Sequence, residues 1–152
     1  WRGTHHTVWR NVVPTFIWKA MQHEALPLDN GGETSRDFIY VEDMARGLIA
    51  CALNGVPGEV YNLATGVETK ILDLAETINS VVKNPTPVEL LPARDWDRSG
   101  KRFASTSKAK SELGFQSEIS IAEGLRRTVE WTQSNKVFIK NCMEKHNKFM
   151  SA

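Results

Sequence analysis

The sequence predicts an α/β fold. Runs with apolar residues at helical spacing alternate along the chain with short runs of strand formers, and clusters rich in Asn, Gly and Pro separate them. The length sets the scale: 152 residues, 41% hydrophobic and 24% charged, suit one modest domain with a real core. No internal repeat or low-complexity tract is present, which argues against solenoids and disordered tails.

Taken in order, residues 1–10 show no sustained period and read as a loop or former connection. Asn11 is a candidate helix cap, Pro14 is tolerated in a first turn, and Phe16, Ile17, Ala20 and Met21 share one face of a helix expected to reach about Glu24. Leu26-Pro27-Leu28, the turn cluster Asp29-Asn30-Gly31-Gly32 and Phe38-Ile39-Tyr40-Val41 read as strand, turn, strand. Glu42 and Asp43 bring negative charge to the start of a helix with Met44, Ala45, Leu48, Ile49 and Ala52 as its apolar positions. Val60-Tyr61-Asn62-Leu63 reads as a buried strand, followed by a turn at Thr65-Gly66. Ile71, Leu74, Ala75, Ile78 and Val82 mark a second long helix ending before Asn84-Pro85, and Val88 to Leu91 is another strand. Thr106 or Ser107 caps a short helix that Gly114 stops. Ser120 caps the next, through about Trp131, with Glu123 at capping-box spacing. Residues 136–152 form a weakly amphipathic helical extension.

A formal charge of +1, from 19 basic and 18 acidic side chains, creates no broad positive field and argues against sequence-independent nucleic-acid binding. Anions must be held by local arginines. No apolar run approaches the ~20 residues of a spanning helix, so a cytoplasmic protein without a membrane partner is expected, with Cys51 and Cys142 as free thiols. The first residue is Trp1, which suggests a chain starting inside a longer reading frame. His5 and His6 lack a third ligand at metal spacing, so no metal site is expected.

Three places can carry ligand chemistry. Asn11 with the N–H groups of a helix start can face a diphosphate or serve only as a cap. Arg36 at a strand entrance can pair bidentately with phosphate oxygens, or can be occupied by Asp37 in a surface ion pair. In the polar stretch Pro92 to Arg102, Arg94 can meet a second phosphate oxygen while Asp97 accepts from hydroxyls, or the stretch is a solvated loop of alternating charge.

In order along the chain, Asn11-Val12-Val13-Pro14, Arg36-Asp37-Phe38-Ile39-Tyr40-Val41-Glu42-Asp43, Tyr61-Asn62-Leu63-Ala64-Thr65-Gly66 and Ser107-Lys108-Ala109-Lys110-Ser111-Glu112-Leu113-Gly114-Phe115 resemble the extended short-chain dehydrogenase/reductase family. The resemblance is closest to NAD-dependent nucleotide-sugar epimerases of the UDP-glucose 4-epimerase kind, and covers about residues 9–133. It implies an incomplete α/β fold, the edge of a Rossmann-type sheet plus a small α+β substrate-binding domain, with the nucleotide-sugar-binding part at 11–135. It also implies that Asn11, Arg36, Arg94 and Asp97 bind the nucleoside diphosphate of a UDP-sugar-like ligand, and that Leu26 and Leu28 lie beside the base. Asp29 and Asn30 replace an aromatic and a glycine common in the family, and Ala64 stands where glycine is usual.

The family's Gly-x-x-Gly-x-x-Gly turn, which brings backbone N–H groups to the NAD pyrophosphate, has no counterpart here. Its Tyr-x-x-x-Lys acid–base pair is absent too, because Met44 and Thr65 stand four residues after Tyr40 and Tyr61. The chain alone is therefore expected to hold no NAD and no catalytic residue, NAD belonging to the full-length family. The alternative is a stand-alone, truncated, non-catalytic module. In either case the apolar faces of helix 43–53 and strand 60–63 would be left uncovered, and self-association would be the physical remedy.

Overall fold

The computed structural model describes residues 11–93 and 100–145. Its elements run α1 (Val12–Ala20), β1 (Pro27–Asp29), a single 3₁₀ turn (Asn30–Gly32), β2 (Ser35–Arg36), α2 (Val41–Asn54), β3 (Thr69–Lys70), α3 (Ile71–Val82), β4 (Glu89–Leu91), α4 (Ser107–Leu113), α5 (Ile121–Ser134) and α6 (Lys136–Lys145). β1 pairs with β4, and β2 pairs antiparallel with β3, Ser35 opposite Lys70 and Arg36 opposite Thr69. Glu89 donates to the Leu26 carbonyl and Asn30 to that of Pro92, so β1 and β4 advance together as a parallel pair. The fold is mixed α/β, as predicted.

The chain divides into two compact units. The first comprises the described residues up to Pro27, Ala75–Glu89, and those from Leu125 on. Phe16, Ile17, Ala20, Leu26, Ala75, Ile78, Leu125 and Val129 are its buried hydrophobic residues. α1 is shorter than predicted. Met21, Gln22, His23 and Glu24 turn their N–H groups onto the Ile17, Lys19 and Ala20 carbonyls, and His23 takes a left-handed φ of 59°, which ends the helix. Asn84 then ties the region down, its side chain donating to the Glu24 carbonyl at 3.0 Å.

The second unit comprises Leu28–Leu74 and the described part of Leu90–Gly124. Ala109, Leu113 and Phe115 centre its cluster, with Ile39, Ala50, Cys51, Tyr61 and Leu63 packed against them. Gly114 closes α4 in the left-handed conformation at φ 66°. Two predicted strands are not formed. The run Phe38–Tyr40 is irregular and Val41 already begins α2. Val60–Leu63 has no strand partner among the described residues, and Val60 is 79% exposed. Strand propensity without a neighbour to pair with does not make a strand.

The apolar face of α2 is open, as expected for a chain that leaves it uncovered: Leu48 is 59%, Ile49 60% and Leu53 77% exposed. The buried positions are Asp43 and Gly47, with Cys51 partly buried on the same face. The approach at Gly47 is close, since a Cβ there would lie 3.0 Å from Leu63 Cδ2 and Phe115 Cε2, which would have to give way by a few tenths of an ångström.

Candidate functional site

Asp43, read in the sequence as a helix-dipole charge, is fully buried. Its Oδ1 accepts from Arg46 Nη2 at 2.5 Å, and its Oδ2 accepts from the Glu118 and Ile119 N–H groups at 3.0 and 2.9 Å. Arg46 also reaches Glu118 and the Gln116 carbonyl. Burial pushes the Asp43 carboxyl up, but the Arg46 guanidinium and the two N–H donors outweigh it and hold the group below its ordinary range. This carboxylate fastens the 116–119 segment to α2 and, with no exposed surface, is closed to a ligand.

Among the described residues, Arg36 is a predicted ligand residue whose side chain is tied to backbone. Its Nη1 donates to the Ser35 carbonyl at 2.6 Å and to the Gly100 carbonyl at 3.0 Å. The neighbouring carboxylate does not occupy it. Asp37 Oδ1 accepts from the Thr65 N–H and hydroxyl at 3.0 and 2.5 Å, and Oδ2 accepts from Gly66 N–H at 2.8 Å and Ala104 N–H at 3.5 Å. Asp37 thus organises the Thr65-Gly66 turn, at which Gly66 adopts φ 76°. The two adjacent charges serve different segments, one the backbone at 100 and the other the turn at 65–66.

Arg94 and Asp97 lie outside the described residues, but both ends of the stretch that carries them are fastened. Pro92 accepts from Asn30 N–H at 3.4 Å, and Gly100 accepts from Ser35 N–H at 3.4 Å while Arg102 N–H donates to Ser35 at 3.1 Å. The segment from Asn30 to Arg36 therefore holds the base of the predicted ligand loop. Leu28 in this unit is fully buried. Asn11 and Leu26 belong to the first unit. Asn11 is exposed at the N-cap of α1 and makes no side-chain capping bond; its carbonyl accepts from both the N–H and the hydroxyl of Thr15. Leu26 has no exposed surface.

Tyr61 makes contacts unlike those of an activated acid–base tyrosine. Its hydroxyl donates to Glu112 Oε2 at 2.8 Å and accepts from Val56 N–H, while Lys108 Nζ lies 4.8 Å from the ring centroid. The Val56 N–H pulls the phenol pKa down, but partial burial and the Glu112 carboxylate push it above its ordinary value, opposite to what proton exchange near neutrality requires. Among the described residues, no group of three or more His, Cys, Asp or Glu side chains is arranged to hold a metal ion, and no helix is long and apolar enough to cross a membrane. The Ser35 side chain, missed in the sequence, proves central: it is fully buried and donates to Glu68 Oε1 at 2.9 Å. No local motif announces a contact across 33 positions.

Residues 2–64 match the NAD dependent epimerase/dehydratase family. A dTDP-glucose 4,6-dehydratase from Escherichia coli is 33% identical over 144 residues, 88% of this chain and 40% of that protein. The Bordetella bronchiseptica enzyme WbmF, solved in complex with NAD+ and UDP, is 55% identical with a TM-score of 0.85, over 97% of this chain and 43% of that one. UDP-glucose 4-epimerase from Thermotoga maritima, solved with UDP-glucose, is 29% identical with a TM-score of 0.77, over 82% of this chain and 40% of that one. The chain thus spans about two fifths of the length of these relatives, and its fold matches part of a Rossmann-like short-chain dehydrogenase fold.

Proposed function

We propose, from its homology to NAD-dependent sugar-nucleotide epimerases and dehydratases, that this chain is the nucleotide-sugar-binding portion of such an enzyme. NAD and the acid–base chemistry then belong to the portion of the relatives that it does not span, consistent with the missing glycine-rich turn and Tyr-x-x-x-Lys pair. The observation that carries the reading is the 55% identity over nearly the whole chain to an enzyme solved with UDP. Arg36 and Arg94 bind the diphosphate, and Asp97 accepts from ribose or sugar hydroxyls. Support comes from Arg36, a guanidinium held by two carbonyls at the base of the loop that carries Arg94 and Asp97. Two guanidinium groups on one diphosphate give charge-assisted bonds about twice as strong as neutral ones. UDP binding by calorimetry is the test. Arg36→Ala and Arg94→Ala should each weaken it about tenfold or more; if the parent binds and neither change matters, the phosphate site is wrong.

A second reading, a self-associating module without activity, is favoured by one observation, the open apolar stripe of α2. Light scattering at high concentration separates the two, because a monodisperse monomer contradicts it.

A further inference from the structure

Ser35 is fully buried, and its backbone is flanked on both sides. On one side it faces Lys70 of β3; on the other it forms a parallel bridge with Lys101. Its hydroxyl donates to Glu68 Oε1 at 2.9 Å, and the same oxygen meets Lys101 Nζ at 3.3 Å. The hydroxyl of Ser35, foremost, holds the Glu68 carboxyl below its ordinary range. One carboxylate therefore ties together β2, the residue preceding β3, and the segment after Gly100.

We infer that the bond from the Ser35 hydroxyl to Glu68 is the centre of a positioning network for Arg36, setting the affinity for the phosphates of a nucleotide without touching the ligand. This rests on the reading of Arg36 as a phosphate ligand. The carbonyls of Ser35 and Gly100 that hold Arg36 Nη1 keep their places only while residues 35 and 100–102 keep their register. Removing Glu68 leaves a buried hydroxyl without an acceptor, which costs more than the bond itself and favours a shift of that register. Hydrogen bonds weaken steeply with such misalignment, so the guanidinium loses its aim.

The experiment is calorimetry of the 152-residue chain with UDP and with uridine, for the parent, Ser35→Ala, Glu68→Leu, Glu68→Gln and Arg36→Ala. Ser35→Ala and Glu68→Leu should weaken UDP binding about three- to tenfold and leave uridine unchanged, whereas Glu68→Gln, which keeps an acceptor for Ser35, should stay within about twofold of the parent. If Arg36→Ala weakens UDP but Ser35→Ala and Glu68→Leu do not, the network is refuted and the phosphate site stands. Equal losses for UDP and uridine mean general loosening, and also refute it. Glu68→Gln as weak as Glu68→Leu moves the effect from the Ser35 bond to charge and overturns the network as drawn. A parent that does not bind UDP, or an Arg36→Ala chain that binds it normally, overturns the reading beneath.

Discussion

Replacing Asp43 by alanine tests the physical account of the second unit most directly. The carboxylate is fully buried and receives an arginine and two backbone N–H groups. Its removal leaves the Glu118 and Ile119 donors without an acceptor. The Arg46 side chain, 44% exposed, can return to water, so its share must be discounted. Two orphaned donors and one weakened ion pair give a loss of about 2–4 kcal/mol, with Asp43→Asn, which keeps one acceptor oxygen, losing about half as much. Urea denaturation followed by circular dichroism measures it. The effect must also depend on pH in one direction. Because the folded-state pKa lies below the unfolded value, the Asp43 contribution is complete above about pH 4 and disappears as pH falls through the folded value. The gap between parent and Asp43→Asn should therefore close on acidification. A loss under about 1 kcal/mol for Asp43→Ala, or a gap that widens in acid, would refute the reasoning.

Two further outcomes follow from the same structure. Gly114→Ala should cost about 1 kcal/mol in urea denaturation, wholly through the backbone, because φ is 66° and nothing lies within 4 Å of the added methyl. Leu48→Lys combined with Ile49→Lys should leave stability within about 0.5 kcal/mol, since both side chains are exposed, yet should lower the apparent mass in light scattering if the chain self-associates.

What was legible in the sequence was local. α3, α4 and α5 lie close to where their spacing and stop signals put them, since Gly114 and the Ser120 hydroxyl, which accepts from Glu123 N–H, act within a few residues. Strands depend on neighbours far away in sequence, and there the reading went astray. Phe38–Val41 and Val60–Leu63 have strand composition but form no strand among the described residues, while Thr69–Lys70, with poorer composition, pairs with β2. The apolar stripe of α2 is legible from its spacing, and its exposure at Leu48, Ile49 and Leu53 agrees with a face left uncovered among the described residues. At the candidate site, Arg36 stood out by residue type, but its carbonyl partner 64 positions away did not. Asp37 was offered as the partner of Arg36 and instead holds a turn 28 positions on.

The separation of Arg36 and Asp37 onto different tasks has a mechanical consequence. Neighbouring Cα atoms are about 3.8 Å apart across a stiff peptide plane, so the backbone at Gly100 and the turn at Thr65-Gly66 are attached to opposite ends of one nearly inextensible link. A displacement of either segment is passed to the other as a rotation of that link. Inserting or deleting a single residue here would offer an anion where a carbonyl expects a donor and a cation where N–H groups expect an acceptor. A change of count between Ser35 and Phe38 should therefore not be tolerated.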